Sequence, residues 1–191
     1  LDTFFSGLTY FGSEIAFMAA ALLIFWCVDK RQGYYVFLVG ALGTVCNQFL
    51  KLAFRIPRPW VLDPDFQIVE AARADATGYS FPSGHTQNIV GTTASIFASR
   101  KEAWVRIVCV VLMLLVPFSR MYLGVHTPLD VGVAFLTALA LAAALYPAFR
   151  TESAAKKTVP WLLLGVAVLC GGYLIYASSL ARCDWPAGSE D

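Results

Sequence analysis

The chain is poor in charge: only 14% of its 191 residues are Asp, Glu, Lys or Arg, against about 25% in soluble domains. Hydrophobic residues make up 58% of the chain, and its mean hydropathy is +0.64. This composition excludes an ordinary water-soluble domain and indicates a membrane protein. The formal net charge is only +1, which gives no electrostatic reason to expect a nucleic-acid partner.

Metal and disulfide motifs are also absent from the sequence. The five cysteines form no Cys-x-x-Cys pair, and four of them lie in apolar stretches, which predicts buried, unreactive thiols. There is no His-Glu-x-x-His motif and no Cys/His cluster, and histidine occurs only twice, at His85 and His126. We therefore predict no metal and no other cofactor.

The length fits one domain, and we expect residues 1–191 to form a single membrane-embedded unit. The sequence has no internal repeat and no low-complexity tract. It begins at Leu1 instead of methionine and shows no signal-peptide pattern. We therefore expect that a segment is missing before Leu1. Nothing in the sequence indicates an oligomeric state.

The chain is rich in long apolar runs. A helix that crosses the bilayer core needs about 20 apolar residues. We predict an all-α fold, a polytopic transmembrane bundle of about six spanning helices. The six runs, of which the third and fourth are short enough to be buried helices instead, cover residues 4–28, 34–54, 82–98, 104–118, 128–149 and 160–181. Glu14 lies in the first run, and a structural role is favoured for it over a catalytic one. Three polar residues inside the runs are interpreted as interhelical hydrogen bonders: Asn47, Gln87 and Asn88.

The connections between the runs alternate in charge. Three short connections, at residues 29–33, 99–106 and 150–158, together hold eight basic residues. The positive-inside rule places these connections in the cytoplasm, so the loop of residues 55–81 and the turn of residues 119–127 lie outside. We predict a multi-pass protein of the inner (cell) membrane whose outer segments face the periplasm or the cell exterior.

Residues suited to binding phosphate collect on this outer side. Lys51, Arg58 and Arg120 are fixed cations, and the planar fork of arginine matches phosphate oxygens. The sequence Pro-Ser-Gly-His at residues 82–85 opens the third run, where free backbone N–H groups and the positive end of the helix dipole favour an anion. Three cations and a helix N-terminus predict a site that surrounds one phosphate.

Both histidines lie on the same side. Asp130 follows His126 by four residues across the start of a helix, so its carboxylate can accept from one ring nitrogen and leave the other free to attack. His85 can protonate the leaving oxygen, while the cations stabilise charge on the phosphate. The pattern predicts metal-free chemistry through a phosphohistidine at His126.

Each residue also has a structural interpretation. Lys51 and Arg58 are typical of cations that snorkel at a membrane edge, and residues 82–84 suit the start of any helix. The sequence from Thr127 to Asp130 has the form of a capping box, which competes with the catalytic role of Asp130. Separate structural roles do not explain why both histidines and three phosphate-binding cations lie on one side of the membrane in three ordered blocks.

The blocks resemble a known signature. They read Lys51-x6-Arg58-Pro59, then Pro82-Ser83-Gly84-His85, then Ser119-Arg120-x5-His126-x3-Asp130. This order is similar to the three-part motif of the type 2 phosphatidic acid phosphatase superfamily, and every motif position matches. Three spaced blocks are far more specific than one short motif.

The resemblance implies that His126 is the nucleophile, that Asp130 orients it and that His85 is the acid for the leaving group. It implies a set of phosphate-binding residues: Lys51, Arg58, Ser83, Gly84, Ser119 and Arg120. It also implies a metal-independent lipid phosphatase. The family includes soluble vanadium-dependent haloperoxidases, but the apolar runs argue against that activity.

We expect a lipid phosphate as substrate and the bilayer as the chain's environment, because the reactive groups lie at span ends near the headgroups. The motif contacts only phosphate, so several substrates stay open: undecaprenyl diphosphate, phosphatidic acid, phosphatidylglycerol phosphate, a lipid A phosphate and a sphingoid phosphate. Two other functions stay open as well. One is a lipid phosphotransferase that uses the same phosphohistidine, and the other is a non-enzymatic transporter or scaffold.

Overall fold

A computed structural model describes residues 1–63, 65–74 and 76–180, and within these ranges the chain forms helices and no strands. The all-α prediction is confirmed. The α-helices are α1 (Asp2–Thr9), α2 (Glu14–Cys27), α3 (Lys30–Phe54), α4 (Pro59–Leu62), α5 (Gly84–Ser99), α6 (Ala103–Tyr122), α7 (Pro128–Leu145) and α8 (Glu152–Leu180). Short 3₁₀ turns cover Tyr10–Gly12, Glu70–Ala72 and Tyr146–Phe149.

Four helical segments of the described chain are long and apolar enough to cross a membrane: Lys30–Leu62, Ala103–Tyr122, Pro128–Phe149 and Glu152–Ser179. The protein is thus a multi-pass membrane protein. The bent pair Asp2–Gly12 and Glu14–Cys27 adds up to one more span. Helix α5 has only 16 residues and falls short, so the predicted count of six is not confirmed.

The first apolar run is broken at Ser13, where the two helical parts meet at an angle of 52°. Ser13 has extended backbone, and its hydroxyl accepts a hydrogen bond from the Ala16 N–H at 3.1 Å, which caps α2. Glu14 is then the exposed first residue of α2, where the helix dipole favours a carboxylate. The structural role of Glu14 stays a prediction, and its position at the start of α2 supports it.

Helix α5 is the centre of the bundle, and every residue from 86 to 95 is buried. It packs between α2, α3, α6 and α7. A helix with neighbours on every side does not need the length of a lipid-facing span, which explains its 16 residues. Its position brings its N-terminus, with His85, into the middle of one end of the bundle.

Polar side chains of α5 are bonded to neighbouring helices. Gln87 accepts from the Thr137 hydroxyl at 2.8 Å, and Asn88 accepts from the Thr44 hydroxyl at 3.3 Å. The interhelical interpretation is confirmed for these two residues. It is wrong for Asn47, whose buried side-chain amide has no hydrogen-bond partner among the described residues.

The thiols are less buried than predicted. Cys109 is buried, Cys170 is half-buried, and Cys27 and Cys46 are exposed. The prediction is wrong for the two exposed cysteines, because an apolar run that faces lipid leaves its side chains outside the protein core. Cys183 lies outside the described residues.

Helix α3 connects the two ends of the bundle. Arg31 stands in its first turn and Lys51 in its last, and twenty residues at 1.5 Å per residue separate them by about 30 Å, the thickness of a bilayer's hydrocarbon core. The Arg31 guanidinium donates to the carbonyl of Arg150 at 2.9 Å, so two of the basic connections are in contact. We call this the basic end and the end near Lys51 the site end.

Gly33→Ala is expected to destabilise the protein, because a Cβ atom there would lie 2.5 Å from Cα of Phe25 and 2.7 Å from its backbone nitrogen. Backbone atoms cannot move aside, so α2 and α3 must separate, at a cost of about 1–3 kcal/mol. Gly165→Ala is the matched control, since a Cβ atom there meets nothing within 4 Å. Melting curves in detergent test this: equal melting temperatures for the two variants would contradict the close packing of α2 against α3.

Candidate active site

Four helix ends and one long loop meet at the site end of the bundle. Lys51 lies in the last turn of α3, which stops at Arg55 in the left-handed conformation (φ 48°). Arg58 then forms the N-cap position of α4, where the following proline at the first helical position stops the helix from extending backwards. The loop of residues 63–83 returns the chain to the start of α5. This course places both cations of the first block beside α5.

Arg58 is 4% exposed and holds the loops of the site together. Its guanidinium donates to three backbone carbonyls: Gly78 at 3.0 Å, Thr77 at 2.8 Å and Val125 at 3.0 Å. Its Nη1 atom also lies 3.1 Å from Nε2 of His126. A buried guanidinium with this many partners is not a snorkelling side chain.

The contact between Arg58 and His126 defines the state of the imidazole. Arginine has only donors, so Nε2 of His126 accepts and carries no proton. The proton of the neutral ring is then on Nδ1, which lies 3.4 Å from Oδ2 of Asp130. The carboxylate therefore faces the nitrogen that carries the proton, and the lone pair is on Nε2.

Burial keeps the pKa of His126 well below its ordinary value, and the positive charges of Arg58, Arg120 and Lys51 lower this pKa further. The imidazole is consequently neutral at neutral pH. A neutral ring is the form that can act as a nucleophile.

Asp130 makes the contacts that both of its predicted roles require. Its Oδ2 accepts from the backbone N–H of Thr127 at 2.8 Å, and its own N–H donates to the Thr127 hydroxyl at 3.3 Å, which completes the capping box of α7. The same oxygen faces His126 and accepts from the Ser80 hydroxyl at 2.5 Å. The helix cap thus fixes the carboxylate that orients the histidine.

The N-terminus of α5 forms the next wall of the site. The Ser83 hydroxyl accepts from the Thr86 N–H at 3.4 Å and from the Thr86 hydroxyl at 3.0 Å, while the Ser83 N–H donates to the carbonyl of Asp130 at 3.2 Å. The backbone bond joins the start of α5 to the start of α7. His85, the second residue of α5, is half-buried and makes no hydrogen bond to the described residues, so its ring is available to a substrate.

Lys51 and Arg120 complete the positive charge of the site. Lys51 donates to the carbonyl of Tyr79 at 2.5 Å. Arg120 is 1% exposed and donates to the Thr9 hydroxyl at 2.9 Å. Ser119, by contrast, donates its hydroxyl to the Val116 carbonyl of its own helix at 2.6 Å. The structure therefore joins Ser119 to the helix backbone, and its role in binding phosphate stays a prediction.

Among residues 1–63, 65–74 and 76–180, no three His, Cys, Asp or Glu side chains lie close enough together to hold a metal ion.

Comparison with known proteins identifies the family. Residues 32–154 match the model of the PAP2 superfamily. The chain belongs to the PAP2 superfamily. The family predicted from the three blocks is thereby confirmed.

Curated PAP2 relatives and one solved structure are similar over most of the chain. An undecaprenyl-diphosphatase of Bacillus subtilis, BcrC, is 34% identical over 128 residues, which are 63% of each chain. Phosphatidylglycerophosphatase B of the same species is 28% identical over 74% of this chain and 71% of its own length. The crystal structure of Aquifex aeolicus LpxE superposes with a TM-score of 0.67 at 26% identity, over 77% of this chain and 86% of that one.

The matched segment does not extend over the whole of every relative. It spans 63% of BcrC and 61% of an undecaprenyl-diphosphatase from Sulfolobus acidocaldarius, to which the chain is 29% identical.

Sequence analysis missed two residues of this PAP2 site. Ser80 bonds to Asp130, and Thr9 bonds to Arg120 from the distant helix α1. Ser80 lies just before the second block, and this position is only weak evidence that its hydroxyl belongs to the site. Nothing in the sequence around Thr9 points to Arg120, because the contact joins residues 111 positions apart.

Ser80→Ala is expected to lower kcat by roughly 10- to 150-fold, because loss of one hydrogen bond to a charged group costs roughly 1.5–3 kcal/mol and lets Asp130 move. Asp130→Asn is expected to lower kcat further and still leave residual turnover. The asparagine side chain keeps an oxygen that can cap α7, but it has no negative charge to stabilise His126. Phosphate release from a lipid phosphate measures both. Equal, complete loss in the two variants would show that Ser80 does more than position Asp130.

Proposed function

We propose that the protein is a metal-independent lipid phosphate phosphatase that works through a phosphohistidine at His126. One observation carries the proposal: Nε2 of a buried, neutral His126 has its lone pair beside Arg58, while Asp130 faces the other nitrogen. A nucleophile, an orienting carboxylate and a cation beside the reacting atom are the parts that such a reaction needs.

The first chemical step forms the phosphoenzyme. The bound phosphate accepts hydrogen bonds from Arg58, Lys51, Arg120 and the N–H groups at the start of α5, and Nη1 of Arg58 turns from Nε2 to a phosphate oxygen. The freed lone pair of Nε2 attacks phosphorus, and the bond from phosphorus to the lipid oxygen breaks. Burial and the charges of Arg120, Arg58 and Lys51 lower the pKa of His85 to about 3 in the empty site, and the negative charge of the bound phosphate raises this pKa again. His85, protonated in the complex, then gives its proton to that oxygen. The ring of His126 carries positive charge after attack, which Asp130 stabilises.

The second step hydrolyses the phosphoenzyme. His85, now neutral, takes a proton from a water molecule as the water oxygen attacks phosphorus. The bond from phosphorus to Nε2 breaks, and inorganic phosphate leaves. Both histidines return to their starting states, so the cycle balances with water as the second substrate.

A lipid substrate is favoured by the position of the site and by the relatives. The reactive groups lie at the ends of apolar helices, where a phosphate anchored in the bilayer is at the right depth. Relatives named as phosphatases of undecaprenyl diphosphate and phosphatidylglycerol phosphate belong to the same family. Ser83, Gly84 and Ser119 are proposed to help hold the phosphate.

The site is proposed to face outward, toward the periplasm or the cell exterior. The basic end, with Arg31, Arg100 and Arg150, lies about 30 Å from Lys51 along α3. The positive-inside rule assigns the basic end to the cytoplasm, which leaves the site end outside. Protease or thiol-reagent accessibility in oriented vesicles tests this orientation.

The test of the proposed activity is phosphate release from a panel of lipid phosphates and diphosphates in detergent with excess EDTA. Release from at least one lipid that survives EDTA supports the proposal, and the best substrate identifies the lipid. Release that EDTA abolishes contradicts the metal-free mechanism. Transfer of phosphate to an added alcohol instead of water would identify a phosphotransferase.

A further inference from the structure

A cavity at the basic end adjoins an apolar groove in the side of the bundle. The cavity has a volume of about 290 Å³ and lies between the start of α3, the end of α5 and the connection from α7 to α8. The groove has a volume of about 440 Å³ and runs between α5, α6 and α7. Three residues line both: Tyr35, Ala98 and Tyr146.

The cavity is positively charged. Four of its lining residues are cations and one is a carboxylate: Arg31, Arg100, Lys101, Arg150 and Asp29. Arg31 lies 3.9 Å from Asp29, and Arg100 lies 3.2 Å from Glu102. Lys101 and Arg150 have no ion-pair partner among the described residues, so two cations of the cavity are available to an anion.

The groove is suited to a hydrocarbon chain. Its walls are formed by apolar side chains of three helices, among them Phe97, Val110, Met113 and Leu139. Two tyrosines also line the groove. The Tyr35 hydroxyl donates to the Ala142 carbonyl at 2.6 Å, and Tyr146 lies where the groove meets the cavity. Beyond Tyr146, a hydrocarbon chain in the groove would meet apolar side chains and a tyrosine hydroxyl that is already hydrogen-bonded.

We propose that this cavity and groove form a binding site for an anionic phospholipid of the surrounding bilayer, with its phosphate in the cavity and one acyl chain in the groove. The positive-inside rule explains why basic residues lie at this end, but it does not explain a groove that leads from them along the helices. Charge complementarity selects an anionic headgroup over a zwitterionic one. The cavity lies at the Arg31 end of α3, about 30 Å along the helix from Lys51 at the site end, and the inference does not rest on the proposed function.

Native mass spectrometry of the full chain with phosphatidylglycerol and phosphatidylcholine of equal chain length tests the proposal. We expect preferential retention of phosphatidylglycerol. Each cation near an anionic lipid is worth roughly a fivefold change in affinity, so the double variant Lys101→Gln and Arg150→Gln should bind about 25-fold more weakly. Ala143→Phe, which fills the groove without changing charge, should also lose the lipid.

Two controls match these variants. Lys156→Gln with Lys157→Gln removes two exposed cations that do not line the cavity, and Ala140→Phe places the same ring on an exposed position of α7 outside the groove. Both controls should keep the lipid. Equal binding of the two phospholipids, or unchanged phosphatidylglycerol binding in either test variant, overturns the proposal. Phosphatidylglycerol held at the distant catalytic site would be insensitive to all four sets of substitutions.

Discussion

His126→Ala is expected to abolish turnover, with phosphate release falling by roughly 10⁴–10⁶-fold, the range for loss of a catalytic nucleophile. The side chain is 4% exposed and its Nε2 atom is 3.1 Å from the Arg58 guanidinium. No other described side chain offers a nitrogen lone pair in contact with Arg58. The measurement is phosphate release from the best lipid of the panel in detergent, at equal amounts of folded protein.

His126→Gln is the control for structural damage. It keeps a polar group opposite Arg58 but has no nucleophilic nitrogen, so it should be as inactive as His126→Ala. Near-normal turnover in either variant would show that the nucleophile has been assigned to the wrong residue. Recovery in the glutamine variant alone would show that His126 only supports Arg58.

His85→Gln is expected to have the second-largest effect, and its size should depend on the leaving group. A general acid contributes about 10²–10⁴-fold, and a lipid alkoxide needs that proton. p-Nitrophenolate leaves without one, so formation of the phosphoenzyme from p-nitrophenyl phosphate should be nearly unaffected. Hydrolysis of the phosphoenzyme also uses His85, which predicts a burst of p-nitrophenol followed by slow turnover.

Stopped-flow absorbance of the His85→Gln variant measures this burst. Wild type serves as the control, with no burst or a smaller one. Equal losses of rate with the lipid and with p-nitrophenyl phosphate, and no burst, would contradict the role of His85 as acid and base.

The gathering of the motif residues at one end of the bundle was predictable, because each motif block stands where an apolar run begins or ends. Lys51, His85 and Asp130 belong to helix ends, so their side of the membrane follows from the order of the runs. The capping box at Asp130 was visible as well. The sequence does not show that one oxygen of Asp130 serves both the cap and His126. That depends on how closely the turn before α7 approaches the start of the helix.

The network around Arg58 was not predictable from sequence. The fork of Arg58 was expected to bind phosphate, whereas three of its contacts go to backbone carbonyls of Gly78, Thr77 and Val125. Backbone carbonyls leave no signature in a sequence, since every residue has one. The break at Ser13 was missed for a related reason, because one serine among apolar residues is compatible with a continuous helix until its hydroxyl is seen to cap α2.

The proposed mechanism depends on a covalent bond between phosphorus and Nε2 of His126. Its most direct test is rapid quenching of the wild-type protein under alkaline conditions during turnover with EDTA present, followed by peptide mass spectrometry. We expect phosphate on the peptide that contains His126, formed before inorganic phosphate and absent from His126→Ala. Product formation at the full rate with no phosphoenzyme at any time, or phosphate on a different side chain, would contradict it.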